Sequence, residues 1–252
     1  MIIPDINIDS HLSIAKGAAT LAGHFLAGFN RSNIKINSEA GKDIKIDADV
    51  RSEEIICKHL EKHSPYSILS EEKGLVSREK SEYVWIVDPL DGTMNYFRGI
   101  PSCCTSIGLW RKDEPLLGVV YDFNTKEFFT GIVGEGAWVN GQKINASDIR
   151  DKEKAILSTG FPSHADFSTD AMESFIEDLR AYKKIRMIGS AALSICYVAC
   201  SRVDAYCEKD IMLWDIAGGI PVVLGAGGAA EQKEKQREYS CDVYISNGKL
   251  KQ

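Results

Sequence analysis

The feature that most constrains this 252-residue chain is an apolar strand that runs directly into a carboxylate-bearing turn. Residues 83–87 (Tyr-Val-Trp-Ile-Val) are continuously apolar and rich in β-forming side chains, which predicts a strand buried on both faces. We expect the strand to stop at Asp88-Pro89, because proline fixes its own φ and biases the preceding residue away from helix. A sharp turn would then bring Asp91 back beside Asp88. Gly92 allows positive φ and close approach of the backbone to a ligand.

This turn offers only oxygen donors. Asp88, Asp91 and the carbonyl of Leu90 fall within four residues, and such hard ligands suit Mg²⁺ better than zinc or copper. The carboxyl ends of strands in α/β sheets commonly face a ligand crevice, and Thr93 follows where exposed amides can bind phosphate. The alternative is an ordinary solvent-exposed Asp-Pro-x-Asp-Gly turn. The rigid strand in front of the turn favours the metal and phosphate site.

Two further acidic clusters point the same way. Glu71-Glu72 follows a short apolar strand, and Asp215 lies in the first turn of a predicted apolar helix. Each has an ordinary alternative, because the glutamates suit a charged loop and the aspartate complements a helix dipole. Taken with the turn at Asp88, the clusters supply ligands for two metal ions that share Asp88.

The arrangement of predicted elements predicts an α/β protein with a soft boundary near residue 145. Helices are expected at residues 10–29 (with Ser10 as N-cap), 50–60, 169–181, 191–201 and 212–224. Strands are expected at residues 43–47, 67–70, 83–87, 104–110, 116–122, 127–132, 137–139, 155–159, 205–208 and 243–246, and the charged residues 231–239 as a solvated loop. Residues 1–145 would form an α+β subdomain with most metal ligands, and residues 146–252 an α/β subdomain that completes the site.

Composition excludes several classes of function. The net charge of −6 disfavours direct nucleic-acid binding, although bound divalent cations would still admit an anionic substrate. No apolar run reaches the ~20 residues needed to span a membrane, and the N-terminus lacks the pattern of a secretory signal. The seven cysteines contain no Cys-x-x-Cys pair and are expected to be reduced core residues. We therefore expect a cytoplasmic protein.

The acidic clusters resemble the signatures of the inositol monophosphatase family. Residues 85–96 (Trp-Ile-Val-Asp-Pro-Leu-Asp-Gly-Thr-Met-Asn-Tyr) are similar to its first long signature, and residues 214–219 (Trp-Asp-Ile-Ala-Gly-Gly) to its second. Ser70-Glu71-Glu72 resembles its Gly-Glu-Glu element, with serine in place of the first glycine. Weaker matches at residues 188–192 and 203–208 lie between these elements. The resemblance implies a layered αβαβα sandwich of the inositol monophosphatase and fructose-1,6-bisphosphatase type, and a homodimer.

The resemblance also implies a metal set. One Mg²⁺ would be held by Glu71, Asp88 and the Leu90 carbonyl, and a second by Asp88, Asp91 and Asp215. A weaker third ion would lie near Glu71 with Asp49 close by. Lithium sensitivity is implied as well, by replacement of the second Mg²⁺.

Roles at the substrate follow from the same resemblance. Glu72 and Thr93 would orient the attacking water, with Asp49 also in the catalytic set. A lysine expected near Asp49 is ambiguous between Lys35 and Lys42. The residues implied to contact substrate are Asp91, Gly92, Thr93, Ala191, Glu208 and Asp215.

The substrate implied first is inositol 1-phosphate or a related sugar phosphate, because Glu208 occupies a position that contacts a polyol hydroxyl. Fructose 1,6-bisphosphate, 3′-phosphoadenosine 5′-phosphate and histidinol phosphate are the alternatives within the enzyme class. A different class of function, an interaction protein of the transcription machinery, also stays open, because some relatives act in this way.

Overall fold

The computed structural model describes residues 6–30, 34–40, 43–76, 81–161 and 167–250. Its helices are α1 (Ile8–Gly28), α2 (Asp47–His63), α3 (Thr93–Arg98), α4 (Thr169–Arg180), α5 (Ala191–Ala199), α6 (Leu213–Ala217) and α7 (Gly219–Gly225). Its strands are β1 (Ile36–Ala40), β2 (Asp43–Ile46), β3 (Ser67–Ser70), β4 (Gly74–Val76), β5 (Tyr83–Asp91), β6 (Cys104–Arg111), β7 (Glu114–Asp122), β8 (Glu127–Ile132), β9 (Gly136–Val139), β10 (Gln142–Ile144), β11 (Ile156–Thr159), β12 (Lys184–Arg186), β13 (Ala205–Met212), β14 (Ala229–Glu234) and β15 (Ser240–Ser246).

Two large sheets and three helical layers make up the described part of the chain. The first sheet has eight strands in the order β10-β9-β8-β7-β6-β5-β3-β4, and the second has five in the order β12-β11-β13-β15-β14. Helices α1 and α2 cover the outer face of the first sheet, and α5, α6 and α7 lie between the two sheets. Helix α4 contributes Leu179 to the cluster on the far face of the second sheet. The predicted αβαβα sandwich is confirmed.

The outer helical layer follows from the spacing of small residues along α1. Ala15, Ala18, Ala19 and Ala22 are fully buried, which matches the i, i+3, i+4, i+7 pattern of one helix face. They pack with α2 against side chains of the first sheet such as Trp85. Small side chains let the helix backbone approach the sheet closely, so large side chains of the strands fill the space between them.

The inner layer depends on a row of glycines across the first sheet. Gly108, Gly118 and Gly131 pair with one another on the neighbouring strands β6, β7 and β8. A Cβ atom at Gly118 would overlap the carbonyl oxygen of Gly218, and the other two glycines face the α6–α7 backbone in the same way. The segment that carries Asp215 therefore lies directly on the sheet.

Several predicted boundaries are wrong, for local reasons. Asn7 rather than Ser10 caps α1, since its side chain accepts from the Ser10 amide. The helix predicted at 212–224 is split, because Met212 belongs to β13 and a second helix restarts at Gly219. Pro221 fits only in a first helical turn, where its missing N–H is not needed.

Two predictions about strands are also wrong. Strand β5 does not stop at Asp88-Pro89 but continues to Asp91. Residues 231–234, predicted as part of a solvated loop, belong to β14 at the edge of the second sheet. Charged side chains suit such a strand because they discourage pairing with another chain.

The remaining expectations concern whole-chain properties. The antiparallel meander over residues 104–139 is confirmed as β6–β9. All seven cysteines are free and five are buried. Among the described residues no helix is long and apolar enough to span a membrane. The last strand of the first sheet ends at Ile144, and the division into subdomains at residue 145 stays a prediction.

The glycine row generates a stability prediction. Gly118→Ala should lower the melting temperature by about 3–10 °C, because its methyl group must displace the Gly218 backbone at an overpacking cost of about 1–3 kcal/mol. Gly28→Ala is the matched control, since a Cβ there meets no atom within 4 Å. Thermal unfolding of both variants measures the difference. Equal melting temperatures for Gly118→Ala and the parent would refute the close approach.

Candidate active site

A β-bulge in β5 brings Asp88 and Asp91 to the same face of the sheet. Residues three apart in a regular strand point to opposite faces. Here Asp88 pairs with Ser106 and Asp91 pairs with Cys104, so three steps along β5 match two steps along β6. The extra residue restores the alternation. Both carboxylates therefore point to the face covered by the inner helices, as Cys104 does.

Side chains from other elements hold the bulge in place. The carbonyl of Pro89 accepts from the hydroxyls of Ser52 (3.0 Å) and Thr105 (3.2 Å), both fully buried. The amide of Leu90 donates to Asp88 Oδ1 at 2.9 Å. Proline is tolerated at this point because a bulge does not need its missing N–H. The backbone polar groups that the bulge removes from the ladder thus find new partners.

Asp91 joins the first sheet to the inner helical layer. Its carboxylate accepts from the Ser190 hydroxyl and from the amides of Ala191 (3.2 Å) and Ala192 (2.8 Å) at the start of α5. These donors stabilise the ionised carboxylate, since exposed amides and a positive partial charge occur at a helix N-terminus. Asn95 adds a second link by donating to the carbonyl of Ile188 at 2.9 Å.

The Glu71-Glu72 turn is held by a lysine. Lys45 Nζ lies 3.0 Å from Glu72 Oε2, while the amide of Glu72 donates to the fully buried Glu53 at 3.1 Å. The lysine expected near Asp49 as either Lys35 or Lys42 stays a prediction, although Lys45 is the lysine that the structure pairs with Glu72. Lys35 is exposed, and Lys42 lies outside the described residues.

Thr93 and Asp49 form a short hydrogen-bonded chain beside the bulge. The Thr93 hydroxyl is 3.0 Å from the Leu90 carbonyl and 3.3 Å from Asp49 Oδ1. Asp49 Oδ2 in turn accepts from the amide of Ile46 at 2.7 Å, where α2 begins. Leu90 was expected to offer a free carbonyl. It can accept from the Thr93 hydroxyl, whose single proton goes either to the Leu90 carbonyl or to Asp49, and it keeps a lone pair for an ion.

These groups surround one cavity of about 540 Å³. The predicted site residues that line it are Glu71, Asp88, Leu90, Asp91, Gly92, Thr93, Ala191, Glu208 and Asp215. Asp49 and Glu72 do not line the cavity but contact residues that do, through Thr93 and Lys45. The structure thus brings together residues from the turn after β3 and from β5, α3, α5, β13 and α6.

Gly92 is the position where the backbone must be glycine. Its φ of +87° lies in the left-handed region, which L side chains adopt only with strain. A Cβ there would also stand 2.8 Å from the Ser102 carbonyl. The chain therefore turns into α3 with its backbone open to the cavity.

Burial, and at Asp88 and Glu71 the nearness of other carboxylates, raises the pKa values of acidic groups in the cavity. Burial raises the pKa of Asp88 well above its usual range, and the carboxylates of Glu71, Asp91 and Asp215 raise it further. Burial likewise raises the pKa of Glu71, with a smaller opposing effect of Lys45. Burial raises the pKa of Asp91, while the hydrogen bonds from Ser190 and α5 lower it. Without a cation, the cluster therefore resists full ionisation.

The donor set fits Mg²⁺. It consists of carboxylate and carbonyl oxygens, and Asp88 and Asp91 are only 1% and 7% exposed, so a divalent cation would relieve their mutual repulsion. Among the described residues, no three acidic, cysteine or histidine side chains already form a metal-holding group. Asp91 and Asp215 instead accept hydrogen bonds, Asp215 from the amide of Met212 at 3.2 Å.

Glu208 also lines the cavity, but its surroundings differ from those of the carboxylate cluster. Its Oε2 accepts from the Tyr206 hydroxyl at 2.7 Å. Burial raises the pKa of Glu208 to about 7, and the bond from Tyr206 opposes this shift. A carboxyl group of this kind can accept from or donate to a substrate hydroxyl near neutral pH.

Sequence reasoning missed two basic residues of the cavity, Lys45 and Arg237. Neither carries a local signal. Lys45 is one of several lysines in a short segment, and its partner Glu72 is 27 residues away. Arg237 lies in the charged stretch expected to be solvated.

The chain is similar to known proteins over most of its length. The model of the "Inositol monophosphatase family" matches residues 7–248. The Nus factor SuhB of Pasteurella multocida is 37% identical over 224 residues, which cover 86% of this chain and 83% of that protein.

The fold is also similar to solved structures. The extragenic suppressor protein suhB of Bartonella henselae matches with a TM-score of 0.87 and 31% identity, covering 95% of each chain. An inositol monophosphatase of Anabaena (Nostoc) sp. PCC 7120 matches with a TM-score of 0.81 and 33% identity, covering 97% of this chain and 93% of that one.

Glu208 generates a prediction about pH. Its pKa is raised to about 7 in the folded protein from about 4.5, so the folded state binds more protons between these values, and its contribution to stability falls as pH rises through that window. Glu208→Gln should therefore gain on the order of 2 kcal/mol relative to the parent between pH 5 and pH 8. Denaturant unfolding in EDTA at both pH values measures this gain.

The control for this experiment is Glu231→Gln, which removes one exposed carboxylate on β14. A Glu208→Gln difference from the parent that is the same at both pH values would contradict the raised pKa.

Proposed function

The chain belongs to the inositol monophosphatase family, and on this premise we propose that it is a Mg²⁺-dependent phosphatase of small phosphate monoesters. The observation that carries the proposal is the single cavity in which buried carboxylates from the family's signature segments meet. Glu71, Asp88 and the Leu90 carbonyl would hold one ion. Asp88, Asp91 and Asp215 would hold the second.

The charge of the cavity supports two divalent ions. Six carboxylates and two basic side chains of the described residues line it, which leaves a net formal charge of −4. Two Mg²⁺ ions would neutralise that charge, and a phosphate dianion would then meet a surface that no longer repels it. A third ion near Asp49 would have to share this region with Lys45, so we propose two ions as the working state.

The chain's own residues supply positioning and proton transfer. When bound, Mg²⁺ would stabilise charge on the phosphoryl oxygens and lower the pKa of water. The Thr93 hydroxyl can donate to Asp49 while accepting from the attacking water, which orients that water for in-line attack. Lys45 holds the Glu72 carboxylate on the same side. The open backbone at Gly92 and Thr93 would bind phosphate oxygens, and no phosphorylated enzyme residue is required.

The polyol side of the substrate would meet Glu208 and Ala191. Both line the cavity with the carboxylate cluster, and the Tyr206 hydroxyl orients the Glu208 carboxyl group. We therefore propose inositol 1-phosphate or a related sugar phosphate as the first substrate to test. The homodimer expected from the family stays a prediction, and light scattering of the purified protein would test it.

A non-enzymatic role in transcription is the second candidate, because relatives such as that of Pasteurella multocida carry the name Nus factor SuhB. A chain acting only as an interaction protein should keep its cellular role in the Asp88→Asn variant. Complementation of a deletion strain by that variant, beside the parent, separates the two candidates. Loss of complementation by a folded variant would favour the enzyme.

The central prediction concerns Asp88→Asn. Phosphate release from a panel of monoesters should require Mg²⁺, stop with EDTA and fall at least about 100-fold in the variant, because one carboxylate shared by both ions is lost. Calorimetry should show weakened Mg²⁺ binding. The metal-free variant should unfold at no lower temperature than the parent, since asparagine removes an acidic group whose ionised form is disfavoured by burial and by neighbouring carboxylates.

Asp151→Asn is the matched control, because Asp151 pairs with Lys154 on the surface. The proposal fails if the parent binds no Mg²⁺, or if Asp88→Asn hydrolyses the same ester at the parent rate.

Lithium generates a separate prediction. Li⁺ is close to Mg²⁺ in size but carries half its charge, so it should replace the ion held by Asp88, Asp91 and Asp215. We expect millimolar LiCl to inhibit the Mg²⁺-activated rate, with NaCl at equal ionic strength as the control. An enzyme activated by Mg²⁺ and unaffected by LiCl would show that lithium sensitivity does not extend to this chain.

A further inference from the structure

Arg237 introduces a guanidinium group into a cavity otherwise dominated by carboxylates. It lies in the turn between β14 and β15, and it lines the same cavity as Asp88 and Asp215. The other basic residue there, Lys45, is committed to Glu72 at 3.0 Å. The two basic groups therefore serve different parts of the cavity, since Lys45 belongs to the metal side.

The turn that carries Arg237 is tied down by backbone hydrogen bonds. The amide of Lys235 donates to the carbonyl of Ser240 at 3.0 Å, and the amide of Ser240 donates to the carbonyl of Arg237 at 3.1 Å. The amide of Leu213 donates to the carbonyl of Tyr239 at 2.8 Å, which fixes the turn to the start of α6. The position of the Arg237 backbone is thus coupled to the helix that carries Asp215.

The Arg237 side chain is only loosely engaged. Its ion pair with Asp210 is long, at 3.9 Å, and the two side chains are 40% and 27% exposed. A guanidinium group carries five N–H donors in a planar fork that matches phosphate or carboxylate oxygens. Donors therefore remain for a ligand in the cavity. Asp210 stands in the bulge of β13 with a φ of +57°.

We propose that Arg237 determines specificity by binding an anionic group of the substrate other than the phosphate that is cleaved. Among the esters that the enzyme hydrolyses, those that carry a second phosphate or a carboxylate should then be used more efficiently than their singly anionic counterparts. The inference rests on the proposed phosphatase function. The cleaved phosphate belongs beside the carboxylate cluster and its ions, whereas Arg237 enters the cavity from the β14–β15 turn, beside Asp210.

Matched pairs of esters test the proposal. Fructose 1,6-bisphosphate is compared with fructose 1-phosphate, and 2-phosphoglycerate with glycerol 2-phosphate, so that phosphate and carboxylate are tested separately. Within each pair, we take the ratio of kcat/KM for the doubly anionic ester to that for its partner. Arg237→Gln should lower this ratio about tenfold or more, mainly through KM, because a charge-assisted bidentate contact is lost. Arg237→Lys should restore it in part.

Two further variants sharpen the test. Lys235→Gln removes a cation from the same turn that pairs with Asp242 at 2.9 Å and should leave the ratio unchanged. Asp210→Asn removes the competing carboxylate and should raise the ratio a few-fold. Asparagine tolerates the left-handed backbone at this position, so the fold should be preserved, which thermal unfolding checks.

Each possible result either supports or overturns the proposed role of Arg237. A ratio that stays unchanged in both pairs in Arg237→Gln overturns the proposal, whether the two kcat/KM values keep the parent level or fall equally. A fall in only one pair supports it and identifies the anion. If the parent hydrolyses neither these four esters nor inositol 1-phosphate, the proposed function fails. Calorimetric binding of the two fructose esters then decides the proposal, because preference for the bisphosphate must be lost in Arg237→Gln.

Discussion

The bulge at Pro89-Leu90 is the constraint on which the rest of the site depends. It turns two aspartates three residues apart onto one face of a buried strand. Ser52 and Thr105 hold the bulged carbonyl, and Asp91 then reaches the start of α5. A regular strand would place one of the two carboxylates on the opposite face, towards the apolar layer beneath α1 and α2, where burial of a charge is costly. The bulge therefore decides both which carboxylates face the cavity and how the first sheet is linked to α5.

The second constraint is the close approach of the α6–α7 backbone to the first sheet. The glycines of β6, β7 and β8 leave a smooth strip of sheet, and the α6–α7 segment lies on it with Trp110 donating to the Ala217 carbonyl at 3.0 Å. Such contact positions Asp215 relative to Asp88 through backbone atoms rather than through flexible side chains. A site for small divalent ions needs this rigidity, because Mg²⁺ tolerates little departure from its preferred geometry.

The same arrangement costs stability in the metal-free protein. Carboxylates that line one partly buried cavity raise one another's pKa, which is the usual sign of a site organised for a charged ligand rather than for stability. Basic groups offset this repulsion unevenly. Lys45 is bound to Glu72, while Arg237 keeps donors to spare beside Asp210. If the proposed function holds, the cavity has one side that would hold the metal ions and another that would bind the substrate.

The sequence by itself determined the α/β class, the buried strand before Asp88, the antiparallel meander and the acidic residues that come together. These features are encoded by local periodicity and by short motifs, so a single segment suffices to predict them. Only the tertiary structure decided that β5 continues through Pro89, that the helix predicted at 212–224 is split, and that Lys45 and Arg237 belong to the cavity. Bulge geometry depends on a neighbouring strand, and an ion pair such as Lys45–Glu72 joins residues far apart in the chain. Such contacts form only when the layers pack, and no local pattern records them.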